Sequence, residues 1–285
     1  MKRDTLVEKA FFLAAAGSAL ATLSIFAFML YLGLPLFREG HFLELFTGRW
    51  SPDQGMYGIR PMIAGSLIIS LLSLLFALPL SLGCSVFIAV LSPRGFGPFL
   101  KKIVQFMTGI PTVVYGFVGI FLLVPLVRSL FEYGSGMSLL TASLLLALLI
   151  SPTMILLFSD SFRNVPESYL KAVAALGGKP LHQLVHVILP CSWPGLAAGL
   201  ILAAGGAMGD TMISLMVAGN SIGMPGSVLD SGRTLTGHIG LVMAADFESL
   251  EFKSLFACGL ILYLCTSLLV AAARGFYLRR RGGLP

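Results

Sequence analysis

Six long stretches without a charged side chain constrain the fold of this 285-residue chain more than any other feature. Each reaches or exceeds the roughly 20 residues that an α-helix needs to cross about 30 Å of hydrocarbon. Because backbone polar groups cannot stay unpaired in lipid, each stretch is expected to be helical. The sequence therefore predicts an all-α bundle of six transmembrane helices in a single domain over residues 1–285. The stretches are Ala10–Phe37, Pro61–Pro93, Ile103–Val127, Tyr133–Ser159, Val187–Gly209 and Ser254–Ala273.

Two of these stretches need comment. The first follows Lys2 and Arg3 as a secretory signal would, but its 28 uncharged residues exceed the roughly 7–15 of a signal core. It is therefore predicted to be a membrane helix that the mature protein retains. The fifth helix is expected to start near Trp193 and to run past Asp210 to about Ala218.

The distribution of basic residues predicts how the helices are oriented. If the N-terminus is cytosolic, 13 of the 19 Lys and Arg residues fall on the cytosolic side, as the positive-inside rule requires. Both termini are then cytosolic, and the net charge of +6 is explained by topology. A nucleic-acid partner is not predicted, since no soluble face combines clustered basic residues with aromatic ones. The 13 are Lys2, Arg3, Lys9, Arg94, Lys101, Lys102, Arg163, Lys171, Lys179, Arg274, Arg279, Arg280 and Arg281.

Residue patterns for catalysis or metal binding are lacking in the sequence. There is no C-x-x-C pair and no glycine-rich loop ending in G-K-[S/T], so no zinc site and no ATPase site is predicted. His182 and His186 are spaced i, i+4 but lack the glutamate of an H-E-x-x-H site. We predict no catalytic residue, no metal and no bound cofactor in this chain.

The longest stretches between the apolar runs are Arg38–Arg60, Asp160–His186 and Gly219–Lys253. The last is rich in Gly and Ser, which predicts a loop with short helical pieces. The segment Asp160–His186 has a more regular pattern. Asn164 is the expected cap of a short helix, and Gly177 its expected end, since glycine readily adopts the left-handed conformation. A second helical stretch should then run to about Val187, where Pro190 turns the chain into the fifth membrane helix. Apolar residues at helical spacing form one expected stripe: Val165, Tyr169, Val173 and Leu176.

Amphipathicity alone leaves two interpretations of this helix: it lies on the lipid surface, or it docks in a groove of a partner. The spacing decides between them. From Lys171 the chain reads K-A-V, three residues, Gly177, nine residues, Val187, one residue, then Leu189-Pro190. This resembles the E-A-A, three, G, nine, I, one, L-P loop by which ABC importer permeases bind their ATPase. The resemblance implies an ATPase contact, within a loop at 160–190, through Tyr169, Lys171, Ala172, Ala175, Leu176, Gly177, Leu189 and Pro190.

Three further blocks resemble phosphate importer permeases, over roughly Trp50 to Arg274 with a family-like core at about 60–275. The Thr-Met and Gly-Asn endings of the last block are more similar to the PstC type of subunit than to its PstA partner. The blocks are Trp50-Ser51-Pro52 with Tyr57 to Pro61 and Gly65 to Leu67, Gly109 to Gly116 (GIPTVVYG), and Ala207 to Met212 (AMGDTM) with Gly219-Asn220.

The chain departs from this family at positions that bear on chemistry. The family's Arg falls at Gly206, its Glu at Asp210, and the Glu of its docking loop at Lys171. A carboxylate within a membrane helix is costly and usually faces a pathway or a partner, so Asp210 is the first pathway candidate; a structural contact between helices is the alternative. The candidates are Asp210, Thr211, Thr112, Tyr115, Asn220 and Arg60.

The resemblance also implies partners and a location. The chain is expected to be a multi-pass protein of a bacterial or archaeal cytoplasmic membrane. There it would pair with a second, PstA-like permease or with a copy of itself. ATPase subunits using ATP and Mg would bind on one side and an extracytoplasmic substrate-binding protein on the other. The expected substrate is inorganic phosphate; the alternatives are another oxyanion (molybdate, tungstate, sulfate or a phosphonate) or, in a different class, a membrane enzyme or a self-sufficient channel.

Overall fold

The computed structural model describes residues 2–38, 42–93 and 95–281, with side chains for 7–33, 44–93, 95–271 and 275. Six helical segments are long and apolar enough to cross a membrane, so the predicted all-α fold with six crossings is confirmed. Of the basic residues behind the predicted orientation, Arg94 and the side chains of Lys2, Arg3, Arg274 and 279–281 lie outside the described residues. The six segments are Val7–Gly33, Arg60–Leu91, Thr112–Phe131, Leu139–Arg163, Pro180–Gly209 and Leu250–Ala271.

Thirteen α-helices and one small hairpin make up the described part of the chain. The hairpin, which the sequence did not predict, pairs β1 (Trp50–Ser51) with β2 (Met56–Tyr57) in antiparallel register. The helices are α1 (Lys2–Arg38), α2 (Phe42–Thr47), α3 (Arg60–Val86), α4 (Phe96–Met107), α5 (Thr112–Val118), α6 (Val124–Phe131), α7 (Leu139–Arg163), α8 (Glu167–Ala175), α9 (Pro180–Gln183), α10 (Leu189–Gly209), α11 (Met212–Val217), α12 (Leu235–Val242) and α13 (Leu250–Arg281).

Three five-residue π-helical turns each end two residues before a proline. Proline has no N–H and clashes with the carbonyl one turn earlier, and a wider turn accommodates both defects. One such turn joins α9 to α10 ahead of Pro190, so the fifth crossing runs without interruption from Pro180. The predicted turn of the chain at Pro190, and the predicted start near Trp193, are therefore wrong. The three turns and their prolines are Phe87–Leu91 with Pro93, Gly119–Leu123 with Pro125, and Leu184–Ile188 with Pro190.

Two crossings predicted as single helices are broken. The apolar run Ile103–Val127 divides between α4 and α5, because Pro111 takes an extended conformation (φ −60°, ψ 141°) directly before Thr112. The fifth crossing breaks between α10 and α11, where Asp210 is also extended (φ −69°, ψ 128°). Apolar composition runs through both breaks and so could not reveal them.

Helix α7 forms the centre of the bundle and packs between α3 and α10, whereas α1 packs on α13 at the periphery. Close approach of α10 to α7 depends on Gly199, where an added β-carbon would lie 2.7 Å from Phe158 Cε1. Successive crossings alternate in direction, so α8 lies at one end of the bundle. The hairpin and α12 lie at the other end, and α12 confirms the short helix predicted within Gly219–Lys253.

Candidate functional site

A cavity of about 820 Å³ opens where the two broken crossings meet. It lies at mid-depth of the bundle, since Leu149, Ile150 and Thr153 from the middle of α7 form part of its wall. Irregular backbone at membrane depth is tolerated where protein or a water-filled cavity satisfies it. The remaining wall residues come from the two breaks and their flanking helices: Met107, Thr108, Ile110, Thr112, Leu202, Ala203, Gly206, Gly209, Asp210, Thr211 and Met212.

Asp210 has a structural role in addition to its place in the cavity wall. The residue is only 9% exposed, and its Oδ2 accepts hydrogen bonds from the N–H groups of Ile213 at 2.9 Å and Ser214 at 3.3 Å. A side-chain oxygen in this position satisfies the free donors at the start of α11, as an N-terminal cap does. The Asp210 side chain therefore caps the start of α11 and lines the cavity at the same time.

The break at Asp210 is also anchored to α12. The hydroxyl of Thr236 donates to the Asp210 carbonyl at 2.7 Å, which satisfies a backbone acceptor that the interrupted helix leaves free. Thr234 in turn caps α12 by accepting from the N–H of Gly237 at 2.9 Å. A movement of α12 would thus displace Asp210 in the cavity wall through this hydrogen bond.

The structure brings together three of the six predicted pathway residues, Asp210, Thr211 and Thr112. Tyr115 lies one turn further along α5, and its hydroxyl donates to the Met107 carbonyl at 3.5 Å.

Two predicted pathway residues lie elsewhere. Asn220 follows α11, adopts a positive φ of 58° and donates through Nδ2 to the Leu215 carbonyl at 2.6 Å, so it terminates the helix. Arg60 lines a separate cavity at the end of the bundle opposite α8.

Sequence reasoning missed two hydroxyl groups in the wall, those of Thr108 and Thr153. Each is a polar residue within an uncharged run and lies close to a proline, Thr108 before Pro111 and Thr153 after Pro152. That combination was the available signal, because a proline in a membrane helix is where backbone groups need polar neighbours.

The cavity wall contains a single charged side chain among the described residues, the carboxylate of Asp210. Gly206, where the resemblance places an arginine, lies in the same wall, one turn before Asp210. A β-carbon at Gly206 would meet no atom within 4 Å, so the position has free space. The two departures from the family pattern in this region, at Gly206 and Asp210, thus line the same cavity.

The docking-loop residues divide into two groups. On α8 and just after it, Tyr169, Lys171, Ala172, Ala175, Leu176 and Gly177 are exposed, and Leu176 is 90% exposed. Leu189 and Pro190 instead belong to the first turn of α10, where Leu189 packs against the main core.

Two details predicted for this loop are wrong. Asn164 does not cap α8: it follows the last residue of α7, and α8 starts after Pro166 without a side-chain cap. The expected single stripe also divides, because Tyr169 points outward while its neighbour Leu170 packs on the core.

Gly177 ends α8 as the sequence predicted. Its φ is +78°, and the N–H groups of Gly177 and Gly178 donate to the carbonyls of Ala174 and Val173, both at 2.9 Å. This pair of bonds is the Schellman motif, which satisfies free carbonyls at a helix C-terminus. The exposed helix α8 therefore has a defined end rather than a frayed one.

Lys171 forms an ion pair with Glu167 one turn earlier, with 2.9 Å between Nζ and Oε2. The hydrogen bond and charge of Lys171 lower the pKa of Glu167, and the pair is exposed to solvent. An acidic group is thus present on α8, but one turn before the position at which the family carries it.

Within the part of the chain that the structure describes, no three His, Cys, Asp or Glu side chains gather as a metal site would require. The spaced histidines have local roles instead: His182 Nδ1 accepts from the Lys179 N–H at 3.2 Å, and His186 Nδ1 lies 3.2 Å from the His182 carbonyl.

Residues 81–282 match the family model described as "Binding-protein-dependent transport system inner membrane component". The chain belongs to this family. The predicted resemblance to ABC importer permeases is thereby confirmed, and the chain is a multi-pass permease subunit of an ABC importer.

Named relatives extend the match over most of the chain. It is 31% identical over 84% of its length to a probable ABC transporter permease, YqgH, of Bacillus subtilis, and covers 79% of that protein. It is 30% identical to the phosphate transport system permease protein PstC of Pasteurella multocida, with 84% and 80% covered. Identity is also 30% to a probable PstC of Methanocaldococcus jannaschii, with 89% and 88% covered.

Solved structures support the same fold. A chain of the bacterial alginate ABC transporter, crystallised with its alginate-bound periplasmic protein, superposes with a TM-score of 0.70 at 14% identity, covering 98% of this chain and 96% of that one. A chain of the inward-facing MetNI methionine transporter gives 0.63 at 16% identity, covering 80% and 97%. At these identities the likeness concerns the architecture alone.

A substitution at Gly177 should loosen the end of α8. An alanine there must hold the left-handed conformation at a cost of about 1 kcal/mol, which weakens the two terminal hydrogen bonds. By hydrogen exchange and mass spectrometry, we expect the Gly178 amide of the Gly177→Ala variant to exchange about fivefold faster. Gly205→Ala, at a right-handed helical position with open space, is the control and should leave this amide unchanged. Equal exchange in both variants would contradict the assigned role of Gly177.

Proposed function

We propose that this chain forms one half of the membrane passage of an ATP-driven importer of inorganic phosphate. The observation that carries the proposal is the mid-depth cavity at two helix breaks, in a chain similar over most of its length to proteins named phosphate permeases. Discontinuous helices with polar groups at their ends are a usual construction for substrate pathways at the membrane midplane. Asp210, Thr211, Thr112, Thr108 and Thr153 are the groups that a passing anion would meet.

The proposal includes the orientation and the partners. Both termini and α8 lie in the cytosol, where α8 docks on an ATPase subunit that uses ATP and Mg. A second permease of the PstA type, or a copy of this chain, completes the passage, and a substrate-binding protein delivers phosphate from outside. Support comes from the basic residues near α8 and from the exposed apolar side chains of Tyr169 and Leu176.

The same geometry suggests how an ATPase moves the cavity wall. From Pro180 the helical segment continues to Gly209 through one π-helical turn, so a displacement of α8 can be transmitted along it. This segment ends at Gly209, and its last turns line the cavity together with Asp210. Gly177 and Gly178 separate α8 from this segment and allow the docked helix to adjust its angle.

A second candidate function is import of another oxyanion, and the composition of the mid-depth cavity wall supports it as an alternative. Among the described wall residues there is no guanidinium, although arginine is the side chain best suited to hold phosphate. Molybdate, tungstate, sulfate and phosphonates are the alternatives. An anion would then meet only hydroxyls and Asp210 from this subunit, and any cation would come from the second one.

Transport by the reconstituted complex tests both candidates. Proteoliposomes containing both permease subunits, the ATPase and the binding protein should take up radiolabelled phosphate in an ATP-dependent manner. Unlabelled sulfate, molybdate, tungstate or phosphonate in excess should not compete. Competition by one of these anions together with its own uptake would replace phosphate as the substrate, and uptake by this subunit alone would exclude an ABC mechanism.

A further inference from the structure

A second cavity, of about 540 Å³, lies at the end of the bundle opposite α8, between the hairpin, the start of α3 and the loop after α11. Two guanidinium groups, those of Arg49 and Arg60, line it, and no acidic residue is found among the described residues of its wall. The other wall residues are Thr47, Gly48, Trp50, Pro61, Ile222, Gly223 and Met224.

The backbone around both arginines is held in place. The Arg49 carbonyl accepts from the Gly58 N–H at 3.1 Å, and the Ile59 N–H donates to the Leu45 carbonyl at 2.9 Å. Glycine is required at position 58, because an added β-carbon would overlap the backbone of Gly48. The hairpin and the first residue of α3 therefore form a rigid frame.

The wall of this second cavity is also fixed on its inner side. Trp50 is buried and packs edge-to-face on His238, with ring centroids 4.2 Å apart. Burial, together with the nearby Arg233, lowers the pKa of His238 to about 3, so its ring is neutral at physiological pH. Among the described residues of its wall, the charge that faces the cavity is then that of the two arginines.

Neither arginine is neutralised by the part of the protein that the structure describes. The ion pairs among described side chains involve Lys101 and Lys171, and no hydrogen bond from the Arg49 or Arg60 side chain is found there. Asp53, the acid between them in sequence, lies in the turn of the hairpin and outside the cavity wall. Two unpaired guanidinium groups around a concave volume form an anion-binding arrangement.

We propose that this cavity binds a small tetrahedral oxyanion and holds inorganic phosphate before it reaches the mid-depth cavity; the identity of the anion rests on the proposed function. The binding groups are Arg49 and Arg60. This site places the fork-shaped donors at the entrance, whereas Asp210 is the one charged group among the described residues of the mid-depth wall. Its concave form suits a small anion better than an acidic surface of a docking protein.

Equilibrium binding of radiolabelled inorganic phosphate to the full-length subunit in lipid nanodiscs tests this site. Arg60→Gln and Arg49→Gln should each weaken binding about tenfold or more, and Arg60→Lys should weaken it less, since it keeps the charge but loses the fork. Arg128→Gln is the matched control, because Arg128 is an exposed arginine outside the cavity wall. Unchanged affinity in both cavity variants, or no binding by the unaltered subunit, would overturn the proposal.

Transport by the assembled complex separates this site from a protein contact. In Arg60→Gln, phosphate imported per ATP hydrolysed should fall while stimulation of the ATPase by the binding protein persists. Loss of that stimulation with unchanged phosphate binding would show that this cavity is a docking contact for the binding protein, and it would overturn the proposed anion site. A normal ratio of phosphate imported to ATP hydrolysed in both Arg49→Gln and Arg60→Gln would overturn the anion site but not the proposed function. Import of another oxyanion would overturn the proposed function, and the binding assay with that anion would then decide the site.

Discussion

Replacing Gly206 by leucine should reduce uptake by the reconstituted complex about tenfold or more while leaving the subunit folded. Gly206 lines the mid-depth cavity, and a side chain there meets no neighbouring atom within 4 Å of its β-carbon. Leucine is also a better helix former than glycine, by up to about 1 kcal/mol, so α10 should not be weakened. The added side chain therefore extends into the space that a substrate would occupy.

Gly83→Leu is the matched control for this substitution. Gly83 lies in α3, its β-carbon would likewise meet nothing within 4 Å, and it is not part of the cavity wall. Both variants should assemble with the ATPase as judged by size-exclusion chromatography, and only Gly206→Leu should lose uptake. Normal uptake by an assembled Gly206→Leu complex would show that the cavity is not on the pathway.

The number of crossings could be predicted from the sequence because it follows from a direct physical requirement. An uncharged run of about 20 residues is long enough to cross the hydrocarbon core as a helix, and each of the six runs supplies one crossing segment. Where the helices break was not predictable in the same way. Pro111 and Asp210 interrupt runs that remain apolar on both sides, so hydropathy does not change there.

The docking loop shows which local features a motif can specify. Gly177 was correctly placed at the end of α8, because only glycine adopts a φ of +78° readily. The buried face of α8 was misjudged, since Tyr169 and Leu170 are both apolar and spacing alone does not tell which of them meets the core. That choice depends on the position of α7 and α10, which the loop sequence does not contain.

The pathway candidates illustrate a limit of resemblance. Thr112, Thr211 and Asp210 come from two motifs far apart in sequence, and the structure brings them to one cavity. Arg60 comes from the first family block and Asn220 from the last, yet both lie outside its wall. Motifs select residues that matter for some reason, but only the packing of the helices shows which of them share a site.

Substituting Asp210 by asparagine should reduce uptake about tenfold or more with little effect on assembly. Asparagine is about as good a helix cap as aspartate, and its side-chain oxygen can accept from the N–H groups of Ile213 and Ser214. The variant therefore keeps the structural role of Asp210 and removes the charge from the cavity wall. Loss of a charged hydrogen-bonding group in a buried site typically costs about 1.5–3 kcal/mol, which corresponds to roughly tenfold or more in rate.

Two further substitutions at this position distinguish charge from capping. Asp210→Ala removes both and should also lower the stability of the subunit, by about 1 kcal/mol for the lost cap. Asp210→Glu keeps the charge in the wall but displaces it, so it should retain more uptake than Asp210→Asn if the charge is what the passage requires. Uptake by the asparagine variant at the normal rate, with loss only in the alanine variant, would reduce Asp210 to the cap of α11 and remove the carboxylate from the transport mechanism.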